Sequence, residues 1–279
     1  MKILAIGDFH GKFPEKLKKI AKRKDINLIV SVGDFMPFHY RKLWFKHSYK
    51  SGTELWEVIG KEKYKRLVLK DLRVGERILK QLNEVGKETP VISVTGNLDY
   101  TKWDDAYDYK KSDWKWPYQD FFSRVIRKYK KINIFDYSFI KFKDIIFIGM
   151  ATSTFPGRVK SKNYKKMRKR LDKLFRRFRN NKIIFVSHNV PYRTNLSKIN
   201  SREAPKEFQG VEKGSKLVRR IIESYRPIMN LAGHMHENQG KCKIGKTIVV
   251  NAGAAVEGKA AIIEIDEKKG RVERIKFIR

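Results

Sequence analysis

The chain has 279 residues, of which 41% are hydrophobic and 12% aromatic. This content can form a buried core, which excludes a disordered protein. Lysine and arginine number 64 against 30 acidic residues, so the formal net charge is +34. A charge of this size attracts polyanions such as nucleic acid, although a general lysine bias of the source organism would give the same composition.

Membrane proteins and disulfide-bonded proteins are excluded as well. No apolar run approaches the ~18–20 residues that cross a bilayer, and the apolar run at the N-terminus is too short for a signal peptide. We therefore expect a cytoplasmic protein with no membrane partner. A single cysteine, Cys242, excludes an internal disulfide and a metal site made of cysteines alone. Abundant Lys, Glu and Ile beside only four Gln is typical of a heat-adapted protein.

Short runs rich in Ile and Val recur along the chain, and several end in Gly, Asp or Asn. This pattern predicts buried strands at 3–6, 28–32, 90–94, 145–150, 183–187, 228–232, 247–250 and 261–265. Helical spacing separates the early runs, at 14–23 and 73–85, so we expect an α/β domain with a largely parallel sheet. Shorter turns in the C-terminal third favour hairpins there. We expect one domain over residues 1–279.

Two segments interrupt this alternation, at about 38–70 and 100–122, and together they contain all five tryptophans. We interpret both as insertions whose aromatic rings pack together, with a cap over a site, or base stacking, as the alternative. A third segment, 158–182, carries thirteen basic residues and one acid. Its apolar residues follow helical spacing, which predicts an amphipathic helix with a basic outer face. That face is either simply solvated or binds nucleic acid, with Arg168, Arg176 and Arg179 as candidate contacts.

Polar motifs follow five of the predicted strands. They read Asp8-Phe9-His10, Gly33-Asp34, Gly96-Asn97-Leu98-Asp99, Ser187-His188-Asn189 and Gly233-His234-Met235-His236. The carboxyl ends of strands in an open α/β sheet form the crevice where ligands bind. Mixed oxygen and nitrogen ligands without thiolate suit Mn, Fe, Co, Ni or Zn rather than Ca. Two such ions about 3.5–4 Å apart can hold a hydroxide as nucleophile and stabilise phosphate oxygens. We expect two divalent ions, with Mn first among the candidates.

In this order, the five motifs resemble those of the calcineurin-like metallophosphoesterase superfamily. The resemblance covers the chain from the first motif to the last and implies a four-layer α/β/β/α sandwich of two mixed sheets, with metals at the sheet edges. It also implies a role for each matching residue. One ion would be held by Asp8, His10 and His236, Asp34 would bridge the two ions, and the second ion would be held by Asn97, His188 and His234.

One departure from the family pattern bears on the chemistry. Many members carry a histidine directly after the asparagine, where it helps to protonate the leaving group, whereas this chain has Leu98. Small phosphodiesterase-like members also lack this histidine. A general acid contributes about 10²–10⁴-fold, so we expect either a slower, metal-driven enzyme or a replacement acid, for which His39 and His47 are candidates. Asp99 is expected to orient a metal-binding histidine, or to be an ordinary turn residue.

The sequence thus predicts a metal-dependent phosphoesterase whose candidate catalytic residues are Asp34, Asn97, Asp99 and His39. A phosphodiesterase acting on nucleotides or nucleic acid is the first expectation. One alternative is a phosphomonoesterase, which includes protein phosphatases. Another is a nucleic-acid-binding protein on the same fold with a weak or silent metal site.

Overall fold

The computed structural model describes residues 1–49, 51–103, 113–152, 159, 161–201 and 206–279. Twelve strands lie within this part of the chain: β1 (Lys2–Ile6), β2 (Leu28–Ser31), β3 (Val91–Ser93), β4 (Ile132–Ile134), β5 (Phe139–Phe142), β6 (Ile145–Met150), β7 (Lys182–Asn189), β8 (Met229–Gly233), β9 (Gly240–Ile244), β10 (Thr247–Asn251), β11 (Ala260–Asp266) and β12 (Arg271–Ile278). The same part contains seven α-helices: α1 (Glu15–Ala21), α2 (Arg41–His47), α3 (Leu55–Ile59), α4 (Lys61–Val85), α5 (Phe121–Ile126), α6 (Lys162–Arg177) and α7 (Lys216–Tyr225).

The strands form two mixed sheets of six strands each. The first has the order β12-β11-β1-β2-β3-β4, in which β1 to β4 are parallel, β11 is antiparallel to β1, and β12 pairs with β11 as an antiparallel hairpin. The second has the order β5-β6-β7-β8-β10-β9, with β6, β7, β8 and β10 parallel and an antiparallel strand at each end. The predicted mixed sheets are therefore confirmed, as are the hairpins expected in the C-terminal third.

Three apolar clusters arrange these sheets and helices into four layers. Alternate residues of a strand point to opposite faces, so Ile3 of β1 packs between the sheets, whereas Leu4 faces the helices of the first sheet. The middle cluster joins the two sheets and includes Phe147 of β6. The outer clusters place α1 and α4 on the first sheet, and α6 and α7 on the second. The arrangement is the expected α/β/β/α sandwich.

Two predicted helices have different bounds in the structure. The helix expected at 73–85 is the second half of α4, which begins at Lys61 and takes in the last ten residues of the supposed insertion at 38–70. The basic helix expected at 158–182 is shorter, because α6 ends at Arg177 and β7 begins at Lys182. Residues 50, 104–112, 158 and 160 of the segments discussed above lie outside the described residues.

In the described ranges, no helix has both the length and the apolar character needed to cross a membrane. The parallel strands of both sheets end at the same side of the sandwich. This side, called the site edge below, carries the polar motifs, which lie at or directly after the ends of β1, β2, β3, β7 and β8.

Candidate metal centre

Four of the seven candidate ligands lie in loops with strained backbone. Asp8, His10, Asp34 and His234 have φ angles between 43° and 68°, in the left-handed region that side chains other than glycine rarely adopt. Such strain costs of order 1–3 kcal/mol per residue and is retained where surrounding contacts fix it. Two such contacts are the hydrogen bonds that the Asp34 carbonyl accepts from the amides of Phe9 and His10, at 2.8 and 3.0 Å. The β1 and β2 loops therefore hold one another in place.

The histidines and carboxylates gather into two groups of three. Asp8, His10 and His236 form the first group, called the outer triad, in which the two histidines are partly exposed. Asp34, His188 and His234 form the second, called the inner triad. In each triad one ligand atom from every residue lies within 4.8 Å of the others. Both sheets contribute to both triads.

Asp34 belongs to the inner triad but also faces the outer one. Its Oδ2 is 3.8 Å from Nε2 of His10 and 3.5 Å from Nε2 of His188. Its other oxygen, Oδ1, accepts a hydrogen bond of 2.8 Å from the backbone N–H of Leu98. One oxygen is thus fixed by the backbone, which leaves the other directed between the outer and inner groups, as a bridging ligand requires.

The donor atoms of the outer triad fit a cation. Asp8 is fully buried, and its Oδ1 has no hydrogen-bond partner among the described residues, an unusual state for a buried carboxylate oxygen. Its Oδ2 accepts from the backbone N–H of His234 at 2.9 Å. The Nε2 atoms of His10 and His236 face each other at 3.0 Å. An unpaired oxygen beside two converging ring nitrogens is a suitable ligand set for a borderline divalent ion.

The inner triad is set up in the same way around His188. Its Nδ1–H donates to the carbonyl of Val32 at 2.8 Å, so Nε2 is the atom that faces Asn97 Oδ1, at 2.9 Å. Burial opposes a positive charge on this ring, but Asp34 outweighs it and raises the pKa of His188 to about 9. In the metal-free protein a proton on His188 Nε2 therefore lies between this atom and Asn97 Oδ1. A metal ion can take the place of that proton, because both atoms then offer a lone pair.

His234 differs from His188, although the two rings are in contact. Burial, reinforced by the positive His188, lowers the pKa of His234 to about 3. The ring of His234 is therefore neutral, which is the form in which histidine binds metals. Together with Asn97 Oδ1, the inner triad offers the oxygen and nitrogen ligands that the sequence predicted.

Asp99 has a different role from the expected one. Its Oδ2 accepts from the amides of Asp34 and Gly96, at 2.9 and 2.8 Å, and its Oδ1 from those of Phe35 and Met36, at 2.8 and 3.3 Å. These four bonds go to the backbone and none to a histidine ring, so the expected orientation of a histidine by Asp99 is not observed. Burial and the nearby Asp34 charge raise the pKa of Asp99 to about 7. The Asp99 side chain ties the β2 loop to the β3 loop.

Glycine is required where a backbone passes close to these carboxylates. A Cβ on Gly96 would lie 2.0 Å from Oδ1 of Asp34, and one on Gly233 would lie 2.3 Å from Oδ2 of Asp8. Neither distance is compatible with a side chain.

The sequence profile of the metallophosphoesterases of the calcineurin superfamily matches residues 1–275. The chain belongs to this superfamily. The uncharacterized protein MJ1162 of Methanocaldococcus jannaschii is 26% identical to this metallophosphoesterase over 254 residues, which are 90% of this chain and 87% of that protein.

Solved structures show the same fold. The protein TT1561 of Thermus thermophilus superposes with a TM-score of 0.57 at 17% identity, covering 100% of this chain and 99% of the other. A dimetal phosphatase from Danio rerio superposes with a TM-score of 0.54 at 10% identity, covering 100% and 96% of the two chains. At these identities the likeness establishes the architecture of the metallophosphoesterase.

Other residues singled out in the sequence lie outside the triads. His39 pairs with Asp71 of α4, whereas His47 is the last residue of α2. Asp71 had not been predicted, because no motif surrounds it. A charged residue on the apolar stripe of α4, three residues after the buried Val68, is the signal that could have revealed it.

The candidate nucleic-acid contacts lie on or beside α6, on the outside of the second sheet. Arg168 is partly neutralised by Asp172, at 3.5 Å, whereas Arg176 is exposed. Arg179 is exposed too, but it follows the end of the helix rather than extending it.

The aromatic segments favour the packing interpretation. Ring centroids of Trp56 and Tyr64 are 5.3 Å apart, and those of Trp56 and Trp114 are 5.2 Å apart. Trp56 itself is 5% exposed. The two segments therefore pack against each other through their rings, which contributes to stability by burying apolar area.

Proposed function

We propose that this metallophosphoesterase is a phosphodiesterase that uses two divalent cations and acts on nucleotides or nucleic acid. The observation that carries the proposal is the position of Asp34 Oδ2 between the outer and inner triads. This geometry suits two ions that share one carboxylate. We also propose that the chain forms a single catalytic domain, because both sheets contribute to both triads.

Bound cations would supply an ionised water for attack on phosphorus and positive charge for the phosphate oxygens. The chain's own residues prepare that chemistry. We assign Asp8, His10 and His236 to one ion, and Asn97, His188 and His234 to the other, with Asp34 shared. Three amide bonds from the Asp34 loop to Asp99 hold that loop, so that the shared carboxylate does not have to reorganise during the reaction.

The preference for diesters is supported by what lies beside the inner triad. Leu98 directly follows Asn97 and presents an apolar side chain, which can neither donate a proton to phosphate nor bind it. A phosphomonoester carries a second negative charge, which the side chain of Leu98 cannot stabilise. Manganese is the first candidate metal because the ligands are carboxylate, amide and imidazole.

A nucleotide or nucleic-acid substrate is supported by the charge. The chain carries a formal charge of +34, and the outer face of α6 exposes Lys165, Lys169 and Arg176. We propose that this face binds the phosphate backbone of a nucleic acid. Replacing both Arg176 and Arg179 by Gln should reduce the slope of log affinity against log salt by about 2, one phosphate contact each. Arg168→Gln is the matched control, with a smaller change expected because Asp172 already partly neutralises Arg168.

The reaction is tested by hydrolysis of bis-p-nitrophenyl and mono-p-nitrophenyl phosphate by metal-stripped protein, with Mn, Ni, Co, Zn or Mg added back. We expect diester cleavage that returns with metal and is absent in Asp34→Asn. Cleavage of the monoester alone would instead identify a phosphomonoesterase. No hydrolysis with any metal, together with salt-sensitive nucleic-acid binding that persists without metal, would identify a binding protein.

A further inference from the structure

A histidine and a buried carboxylate form a pair near the site edge. Asp71 is fully buried, and its Oδ1 accepts from Nδ1–H of His39 at 2.5 Å. Its Oδ2 accepts from the backbone N–H of the same residue at 3.2 Å. The side chain of His39 is nevertheless 47% exposed. Asp71 therefore fixes the ring and occupies Nδ1, so that Nε2 is the nitrogen left for another partner.

The course of α4 places this pair just beyond the strand ends. The helix connects back to β3 through a short turn after Val85, so it runs antiparallel to the strands and its first half lies towards the site edge. At 1.5 Å per residue, Val74 lies about 16 Å from that turn. A Cβ on Gly11, the neighbour of His10, would lie 2.6 Å from the Val74 side chain. Asp71 is about one helical turn nearer the start of α4 than this contact, and it therefore lies further towards the site edge.

The loop that carries His39 is also bound to the loop that carries Leu98. Met36 N–H donates to Asp99, at 3.3 Å, and the hydroxyl of Tyr40 is 2.7 Å from that of Tyr100. These contacts lie before and after His39 in one loop, and directly after Leu98 in the other. His39 is thus held beside the turn that carries Leu98, a residue whose side chain cannot donate a proton.

We propose that His39 is the proton donor to the leaving oxygen in this site, with Asp71 as its positioning residue. The inference rests on the proposed phosphodiester hydrolysis. The attacking water has given one of its protons to solvent; a bond forms between its oxygen and phosphorus, the phosphorus–ester oxygen bond breaks, and the electron pair of that bond goes to the leaving oxygen. That oxygen takes the proton from Nε2 of His39. The ring is left neutral with its remaining proton on Nδ1, bound to Asp71, and regains the Nε2 proton from solvent.

The decisive measurement is the dependence of the rate on the leaving group. A p-nitrophenolate leaves without a proton, whereas the alkoxide released from the dinucleotide thymidylyl-thymidine needs one. In the manganese-loaded enzyme, His39→Gln should lower kcat on the dinucleotide by about a hundredfold or more, within the range for a general acid. The same variant should change kcat on bis-p-nitrophenyl phosphate by less than about threefold.

Asp71→Asn and His47→Ala complete the set. Asp71→Asn should show the same selective loss on the dinucleotide in weaker form, because the amide can still accept from Nδ1–H but no longer stabilises a charged ring. His47→Ala, at the end of α2, should leave both rates unchanged. Equal losses on both substrates in His39→Gln, or no loss on either, would overturn the proposal. Failure of the unaltered enzyme to cleave either diester would instead contradict the proposed function.

A second readout needs no activity. In the metal-free protein, long-range ¹H–¹⁵N NMR should show the neutral His39 ring as the Nδ1–H form, with a downfield Nδ1 proton that moves upfield in Asp71→Asn. A ring that carries its proton on Nε2 would contradict the assigned pair.

Discussion

The two edges of the sandwich treat charge in opposite ways. At the site edge, Asp8 and Asp34 are almost fully buried, and the carboxylate oxygens that accept no backbone hydrogen bond lie 3.4–3.8 Å from histidine nitrogens. At the opposite edge, Glu267 is partly exposed and binds the N-terminal amine and Lys143, each at 2.7 Å. The carboxylates of the site edge are held ready for an ion, whereas Glu267 already has its partners. Activity and stability should therefore respond to different variants.

The largest effect is expected at the carboxylate shared by the triads. Asp34→Asn removes the negative charge from the bridging position but keeps an oxygen that can accept from Leu98 N–H. Because loss of a residue that only orients a metal ligand costs about 10–100-fold, loss of the bridge should cost at least about a hundredfold in activity. Steady-state hydrolysis and metal content measure this. Full activity with two ions bound would contradict the bridging assignment.

The next effect separates the inner triad from the outer one. His188→Ala leaves the buried Val32 carbonyl without its donor, so it should lower the free energy of unfolding of the metal-free protein by about 1–3 kcal/mol. His236→Ala removes a partly exposed ring and should cost less. Both variants should lose metal, measured by elemental analysis, and urea unfolding measures the stability difference. Equal stability of the two variants would contradict the contrast in burial.

At the opposite edge the expected effect is smaller and of another kind. Glu267→Gln removes two ion pairs that lie partly in solvent, so it should lower the free energy of unfolding by at most about 1 kcal/mol. Metal content and hydrolysis should not change, because Glu267 follows β11 at the end of the sheet away from the triads. A loss of activity in this variant would show that the opposite edge affects the metal centre, and would contradict the separation of the two edges.

The pH dependence of that difference is the finest test. Hydrogen bonds from Lys143 and the N-terminal amine lower the pKa of Glu267 below its usual value of about 4.5. A carboxylate with a lowered pKa stabilises the fold above its unfolded pKa and ceases to do so as the pH falls through its folded pKa. The stability difference between wild type and Glu267→Gln should thus be constant above pH ~5 and shrink at lower pH, as urea unfolding can show. A difference that grows in acid would contradict the pairing.

The strands that the sequence predicted share one property. All eight predicted strands are interior strands of the two sheets, and all four that were missed, β4, β5, β9 and β12, are the sheet edges. Interior strands are buried on both faces and read as continuous apolar runs, whereas β12 alternates exposed and half-buried residues and carries three basic side chains. Charged edge strands resist pairing with other chains, and in β9 and β12 the same charges hide the strand from a search for apolar runs.

The candidate ligands were predictable because they follow interior strands directly. The partners that hold them were not, since those contacts join distant parts of the chain. His39 and Asp71 are 32 residues apart, and the Asp34 amide and Asp99 are 65 apart. Asp99 stood within a recognised motif, yet its four backbone acceptor bonds depend on how the β2 and β3 loops meet. Only the folded chain shows this.

Because both sheets supply ligands, metal binding would also affect how firmly the two sheets are held together. Asp8, His10, Asp34 and Asn97 belong to the first sheet, whereas His188, His234 and His236 belong to the second. Each ion held between them would cross-link two sheets that are otherwise joined here by apolar packing. A shift of one sheet by one residue relative to the other would separate the ligands of each triad. Ion binding would therefore stabilise only the one alignment of the two sheets in which the ligands meet.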